Sequence, residues 1–534
     1  MKQKKLFSHN SLLATITFLF GVMICQYTGN RGVFPIDSFS HFDSGYRILN
    51  GEHPFKDYWI VSGVFIDYLQ SIIFYILGIN WQTYLLNSSL LNGSVSLLVY
   101  FLFINLGLNF KLSFFYAIFF SILAYPSSGT PFVDHHSALL SLIAIIMLIK
   151  AMKTNKLHSW FLVPVFMFFA FLSKQVPATY IFFAVIFMIV FHLTHQRKKD
   201  VIRILFTITF SSIILIALLI LFFNYNNTDV KFFITQYIYY PLTIGEERYK
   251  IINYDFKNIF LNFKFIYLAL FFLVFFSYEK LKHKNENFYK DINFKILIIC
   301  ILLFVALAQH IIFTKNQIFI FFLISFFLGL ANIQLNNCSE KYQKYLKIIL
   351  VIFCIGITLK YHIRFNIERK FHELNAVKFS QAIDSKYLSK KFTGLKWITP
   401  NSKNNNEISL ELELLKDVEK ILRSDESNKI ILTNYSFYSV LIDENISGYS
   451  RWYPGDNSAF PIKGNRYFDN FRDLIIKTFK SKEIKTIYIM PDIKESNLLD
   501  YIDFRCFKRN ELEFKILRYE INEKCNDLFI WKKN

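Results

Sequence analysis

Apolar residues in this chain run in long blocks, not in the short alternations that a water-soluble core leaves along a sequence. Segments 11–27, 204–223, 259–276 and 296–313 carry few or no full charges. Each approaches the ~20 residues that a helix needs to cross ~30 Å of hydrocarbon. The whole pattern predicts a mostly α, polytopic membrane helical bundle of about eleven transmembrane helices. They fall at 11–27, 83–106, 112–125, 137–152, 160–173, 177–194, 204–223, 259–278, 296–313, 317–335 and 348–361. Segment 11–27 follows a basic start as a signal peptide would. No small-x-small cleavage site follows it, so it is read as a retained first helix.

Segment 61–79 is apolar enough to span but holds Asp67, Gln70 and Ser71. A mid-membrane Asp costs about 2.5 to 3.5 kcal/mol on insertion scales. Counting the segment as a span would also carry nearly every later basic loop to the opposite side. It is therefore predicted to be an interfacial helix in the first outer loop. Lys2, Lys4 and Lys5 then share a side with the loops at Lys111, Lys150 to Lys156, Arg197 to Arg203, Lys280 to Lys295 and Lys341 to Lys347. Short basic loops mark the cytoplasm. The amino terminus is expected inside and everything after Tyr361 outside, in a bacterial inner (plasma) membrane.

From Arg364 onward short apolar runs alternate with amphipathic stretches. Residues 410–422 and 471–479 read as helices and 429–433 and 486–490 as strands, with 512–517 and 528–531 as candidate closing strands. The expected division is a transmembrane catalytic domain at 1–363 and an extracytoplasmic (periplasmic) soluble α/β domain at 364–534. Of six cysteines only Cys506 and Cys525 lie in the second part, which predicts a disulfide between them.

Composition adds little to this. Hydrophobic residues make up 53% of the chain and Phe alone accounts for 63 positions, beyond what a soluble core uses. The net charge of +20 is spread over short loops and a mixed-charge tail, which suits topology control, and no nucleic-acid partner is expected. The sequence has no phosphate-cradling glycine loop, serine-nucleophile elbow or cysteine zinc pattern.

The predicted topology gathers polar residues on one face: Asp37, His41, Asp43, Glu52, His53 and Asp57 in the first outer loop, and Asp134, His135 and His136 in the second. Lys174, Glu246 to Arg248, Lys315 and Asn316 join them. Ionisable groups at the ends of apolar helices are costly unless paired, hydrated or bound to a ligand. The plainer explanation is an outer face that is simply wet. Trp397, Trp452 and Tyr453 in the tail could stack on sugars, although such aromatics more often anchor a core.

The first loop contains Phe34-Pro35-Ile36-Asp37-Ser38, then Asn50-Gly51, Asp57-Tyr58-Trp59, and an apolar segment closing with Leu77-Gly78. Farther on come Val133-Asp134-His135-His136-Ser137, Leu172-Ser173-Lys174-Gln175 and Thr314-Lys315-Asn316-Gln317. In this order, over roughly the first 330 residues, the chain resembles the GT-C membrane glycosyltransferases, such as the protein O-mannosyltransferases and the aminoarabinose transferases. The resemblance implies an inverting glycosyltransferase that moves a sugar from a polyprenyl-phosphate-linked donor to a glycan, lipid or protein acceptor on the outer face of the bilayer.

Asp37 matches the family's loop-one catalytic Asp, which would deprotonate the acceptor hydroxyl. Ser38 stands where several relatives carry Glu, leaving Asp43 and Asp57 as secondary acidic candidates. Asp134 and His135 are candidates to hold a divalent cation, Mg²⁺ or Mn²⁺, at the leaving phosphate. His136 would more simply cap its helix. Lys174, Lys315 and Arg248 are candidate clamps for the donor phosphate; the alternatives are snorkelling to the interface and, for Arg248, pairing with Glu246 or Glu247. The rival function is a transporter or flippase for a lipid-linked saccharide. That would place charges near the bilayer midplane and show internal repeats, neither of which the sequence offers.

Overall fold

The computed structural model describes residues 2–124, 129–282, 288–315, 318–335, 340–368, 374, 377–402, 404–454 and 456–521. The protein is a polytopic helical membrane protein with a C-terminal α/β region. Among the described residues, seven helices are long and apolar enough to cross a bilayer: Asn10–Gly29, Trp81–Asn105, Val133–Thr154, Gln175–Leu193, Lys198–Tyr225, Ile292–Thr314 and Tyr342–Phe365. The other predicted spans fall on Phe110–Leu123, Leu157–Ser173, Lys264–Leu281 and Phe322–Gln334. The first, second and fourth of these are shorter, and Lys264–Leu281 carries Lys264, Glu279 and Lys280.

By its internal contacts the chain divides into two units. One comprises Met1–Gly29, Leu85–Leu219 and Ile251–Phe371; the other comprises Asn30–Tyr84, Ile220–Lys250 and His372–Asn534. The division is not linear in sequence. The C-terminal segment shares its unit with the first loop and with part of the loop after Lys198–Tyr225.

In the first unit Val133–Thr154 is the central helix. Of its apolar window 83% is buried, against 11% for Lys198–Tyr225. The latter turns Ile202, Phe206, Phe210, Ile213 and Leu218 outward. A helix with that many uncovered apolar side chains is stable against lipid and not against water.

In the second unit Val64–Leu77 has the reverse polarity of a soluble amphipathic helix. Asp67, Gln70 and Ser71 are buried while Ile72, Tyr75, Ile76 and Leu77 are exposed. This helix is the predicted segment 61–79. Its polar residues face protein and its outward face is apolar.

The tail opens with β1 (Ile383–Asp384) and β2 (Lys396–Trp397), paired antiparallel. Helix Asn405–Ser424 follows, capped by the Asn404 side chain, which accepts from the Glu407 N–H at 3.0 Å. Then come β3 (Lys429–Leu432), helix Phe468–Ser481, β4 (Thr486–Ile489), β5 (Phe507–Glu511) and β6 (Leu517–Ile521). They form a sheet of order β3-β4-β6-β5, parallel only between β3 and β4, with Ile430 opposite Ile487 and Ile487 opposite Tyr519. The predicted strand at 512–517 is corrected: most of it is the turn between β5 and β6, where Phe514 and Lys515 take positive φ. Residues 528–531 lie outside the described residues.

Cys506 is disulfide-bonded. Cys525 lies outside the described residues, and Cys25, Cys300 and Cys354 are buried free thiols.

Candidate functional site

In the first unit two helices and the link between two others deliver one side chain each to a shared point. Asp134 stands in the first turn of Val133–Thr154, and Lys174 occupies the extended residue between Leu157–Ser173 and Gln175–Leu193. His310 lies in the last turns of Ile292–Thr314. The Lys174 ammonium donates to both Asp134 oxygens at 2.8 Å, and His310 Nε2 donates to Oδ1 of the same carboxylate. Asp134 and His310 are fully buried, while Lys174 keeps 18% of its side chain exposed. The Ser137 hydroxyl bonds the Lys174 carbonyl at 3.1 Å, fixing the extended link.

A carboxylate in such a place needs a counter-charge, and here it has an ammonium gripped at two oxygens plus an imidazole N–H. The arrangement holds one ammonium in a set position on a side chain that is partly exposed. Sequence reasoning placed Asp134 and Lys174 on the same face but did not pair them, and it missed His310. The available signal was an ionisable residue inside an apolar span.

The proposed cation ligands do not converge. Both Asp134 oxygens are taken by Lys174, and His135 Nε2 donates to the Ala124 carbonyl at 2.9 Å. His136 meets the Phe132 carbonyl at 3.1 Å and Asn87 Oδ1 at 2.9 Å. No group of three or more His, Cys, Asp or Glu side chains suited to a metal occurs among the described residues. This donor set does not fit Mg²⁺ or Mn²⁺, because a cation would have to displace an ammonium already bound to the carboxylate. Lys315 is exposed, with φ at +53°, at the end of Ile292–Thr314, and joins no ion pair among the described residues.

In the second unit Asp37 sits half-buried in the first turn of the short helix Pro35–Ser38. The Ser38 hydroxyl accepts from the Phe34 N–H at 3.0 Å, so Ser38 serves the turn. The other loop-one acids are committed to structure. Asp57 accepts the His53 N–H at 2.7 Å. Asp43 is buried, accepts from the Ser447 hydroxyl and lies 3.9 Å from Arg47. Burial pushes its carboxyl up to about 6, against the pull of Arg47 and Ser447. Burial also works to raise Glu52, but Arg47, at 2.7 Å, and Lys482 overcome it and hold Glu52 below the usual carboxylate value.

A second buried set joins His41 to Asp67 at 2.6 Å and Arg451 to the other Asp67 oxygen at 2.8 Å. All three are at most 2% exposed. Burial, then the Arg451 charge, lowers the His41 pKa against the pull of Asp67. Arg451 was not singled out in the sequence because its partners lie almost 400 positions away.

Arg248 is half-buried; Glu247 pairs with Lys250 at 2.8 Å and Glu246 lies 3.9 Å from Arg466, so neither neutralises Arg248. Trp397 is wholly buried against Phe39 and Tyr435, and Tyr453 is buried too, so both are core residues. Trp452 carries the Arg451 guanidinium over its ring at 4.2 Å.

No family model and no curated protein matches the chain. One solved structure that it resembles is the archaeal oligosaccharyltransferase AglB from Archaeoglobus fulgidus, in complex with an inhibitory peptide and a dolichol-phosphate. The match covers 97% of this chain and 74% of that one, at 11% identity and a TM-score of 0.42. A likeness so distant assigns neither activity nor residues.

Proposed function

We propose that this chain is a GT-C-type inverting glycosyltransferase of a bacterial plasma membrane, transferring a sugar from a polyprenyl-phosphate-linked donor to an acceptor on the outer face. Its amino terminus would be cytoplasmic. Asp37 would act as the base on the acceptor hydroxyl, and Lys174, with Lys315 and Arg248 as further cations, would meet the donor phosphate. The chief support is the Asp134, Lys174 and His310 arrangement, a buried carboxylate and imidazole that fix the ammonium of one partly exposed lysine side chain. An ammonium so fixed suits a leaving phosphate, which gains charge as the glycosidic bond breaks. Asp134 is then a positioning residue, and no step is routed through a cation.

The same arrangement weighs against the transporter or flippase reading. Its three charged or polar groups lie at helix ends, whereas a transporter's substrate charges sit near the midplane.

The test is sugar transfer in membranes from a polyprenyl-phosphate sugar, comparing wild type with Asp37→Asn at equal protein level. The expected loss is at least ~100-fold, in the range of a general base. Undiminished transfer would remove Asp37 from this role.

A further inference from the structure

The helices that converge at Asp134 carry a second polar cluster at their other ends. Trp160 is near the start of Leu157–Ser173, His192 near the end of Gln175–Leu193, and Lys295 in the first turn of Ile292–Thr314. At ~1.5 Å per residue, His192 stands about 27 Å along the chain axis from Lys174, and Lys295 about 22 Å from His310.

The Lys295 ammonium is 4% exposed and donates to His192 Nδ1 at 2.9 Å. The His192 ring lies against Trp160, with centroids 5.5 Å apart. Because Nδ1 accepts, the proton of a neutral imidazole is on Nε2. That N–H is buried without a partner, as is the Trp160 indole N–H, and both residues are at most 1% exposed. Among the described residues no carboxylate hydrogen-bonds to Lys295, and the Asp291 charge acts on it only from a distance. The Asp291 side chain, the nearest acid in sequence, caps the helix by accepting from Asn293 N–H at 2.7 Å.

The cluster therefore holds a buried cation and two unmet N–H donors, and its one acceptor is already used. Buried donors left over in a folded protein indicate a group that is not part of the chain. The groups left to meet a ligand are donors and a positive charge, which calls for an anion. We propose that this cluster binds the phosphate of an anionic phospholipid headgroup, between the ends of Leu157–Ser173, Gln175–Leu193 and Ile292–Thr314.

Lipid is favoured over free phosphate because the donors lie between apolar helices whose other faces require hydrocarbon. The adjoining helix ends and loops also present exposed Lys150, Lys153, Lys156, Arg197, Lys198 and Lys199. Basic pockets between spanning helices beside basic loops are where such headgroups lodge.

The experiment reconstitutes the full chain in phosphatidylcholine vesicles with and without phosphatidylglycerol. It then extracts the protein and measures which lipid stays bound, by mass spectrometry. Wild type should retain phosphatidylglycerol in preference to phosphatidylcholine, and Lys295→Met should cut that preference about fivefold. Trp160→Phe keeps the ring packing and removes one donor; it should also lower the preference, which covers the case in which Lys295→Met does not fold. Wild-type preference in the folded variants would overturn the site. Displacement of the lipid by inorganic phosphate at equal phosphorus would overturn its assignment to a lipid.

Discussion

Lys174 grips both oxygens of Asp134 at 2.8 Å, and His310 holds the same carboxylate from another helix. Two residues that the sequence offered as separate agents at the donor phosphate are thus one unit. Removing Lys174 leaves the fully buried Asp134 without its cation, at a cost of about 3 to 5 kcal/mol, and removing Asp134 costs less because the Lys174 side chain is partly exposed. Asp134→Asn and Lys174→Met should each lower the unfolding midpoint in detergent. The double variant should recover much of the stability but none of the sugar transfer. A double variant that regains transfer would show the pair to be structural only.

Arg451 and Asp67 form the corresponding buried pair of the second unit, with His41 on the other carboxylate oxygen. Arg451→Met leaves Asp67 charged and buried, and should cost about 3 to 5 kcal/mol in chemical denaturation of the full protein. Adding Asp67→Asn should return a large part of that loss. Equal stability of single and double variants would mean that the two residues are not coupled.

Asp43 gives the second unit a pH dependence with a defined sign. Its carboxyl titrates at about 6 in the folded protein and near ~3.9 when unfolded. The folded state holds this proton more tightly, so the contribution is fully present below pH ~4 and is lost as pH rises through about 6. The loss amounts to ~2 to 3 kcal/mol at most. Glu52, held below its usual value, contributes in the opposite direction, losing stability as pH falls. Asp43→Asn isolates the first effect: the gap in unfolding free energy between the variant and wild type should shift in favour of the variant across that window. A gap that does not change with pH would contradict the assignment.

The bonded state of Cys506 has a simple readout. If Cys525 is its partner, as its place in the tail suggests, the denatured full chain should show two fewer reactive thiols without reduction than with it. Cys525→Ser should then expose Cys506 to alkylation. Full thiol reactivity of the unreduced wild type would exclude the bond.

Much of the fold is legible in the sequence because spanning helices satisfy their backbone locally and announce themselves by length and apolarity alone. Each of the eleven predicted segments overlaps a helix among the described residues. Asp67 set segment 61–79 apart in the sequence, because the cost of a bare carboxylate in hydrocarbon depends on the residue itself, and the structure buries that carboxylate against protein. In the tail the four principal elements were legible from periodicity. The turn at 512–517 was not, since Phe514 and Lys515 reverse the chain through backbone angles that an apolar run conceals.

The site divides in the same way. The sequence by itself determined that the chain lives in a membrane, and which ionisable residues sit at the ends of its helices. Only the tertiary structure decided which of them meet. His310 reaches Asp134 across 176 positions and Arg451 reaches Asp67 across 384. Ion pairing falls off within a few ångströms, and helix packing sets those distances, so no local pattern carries them. The apolar blocks specify the helices, and the packing of those helices determines which buried charges are paired.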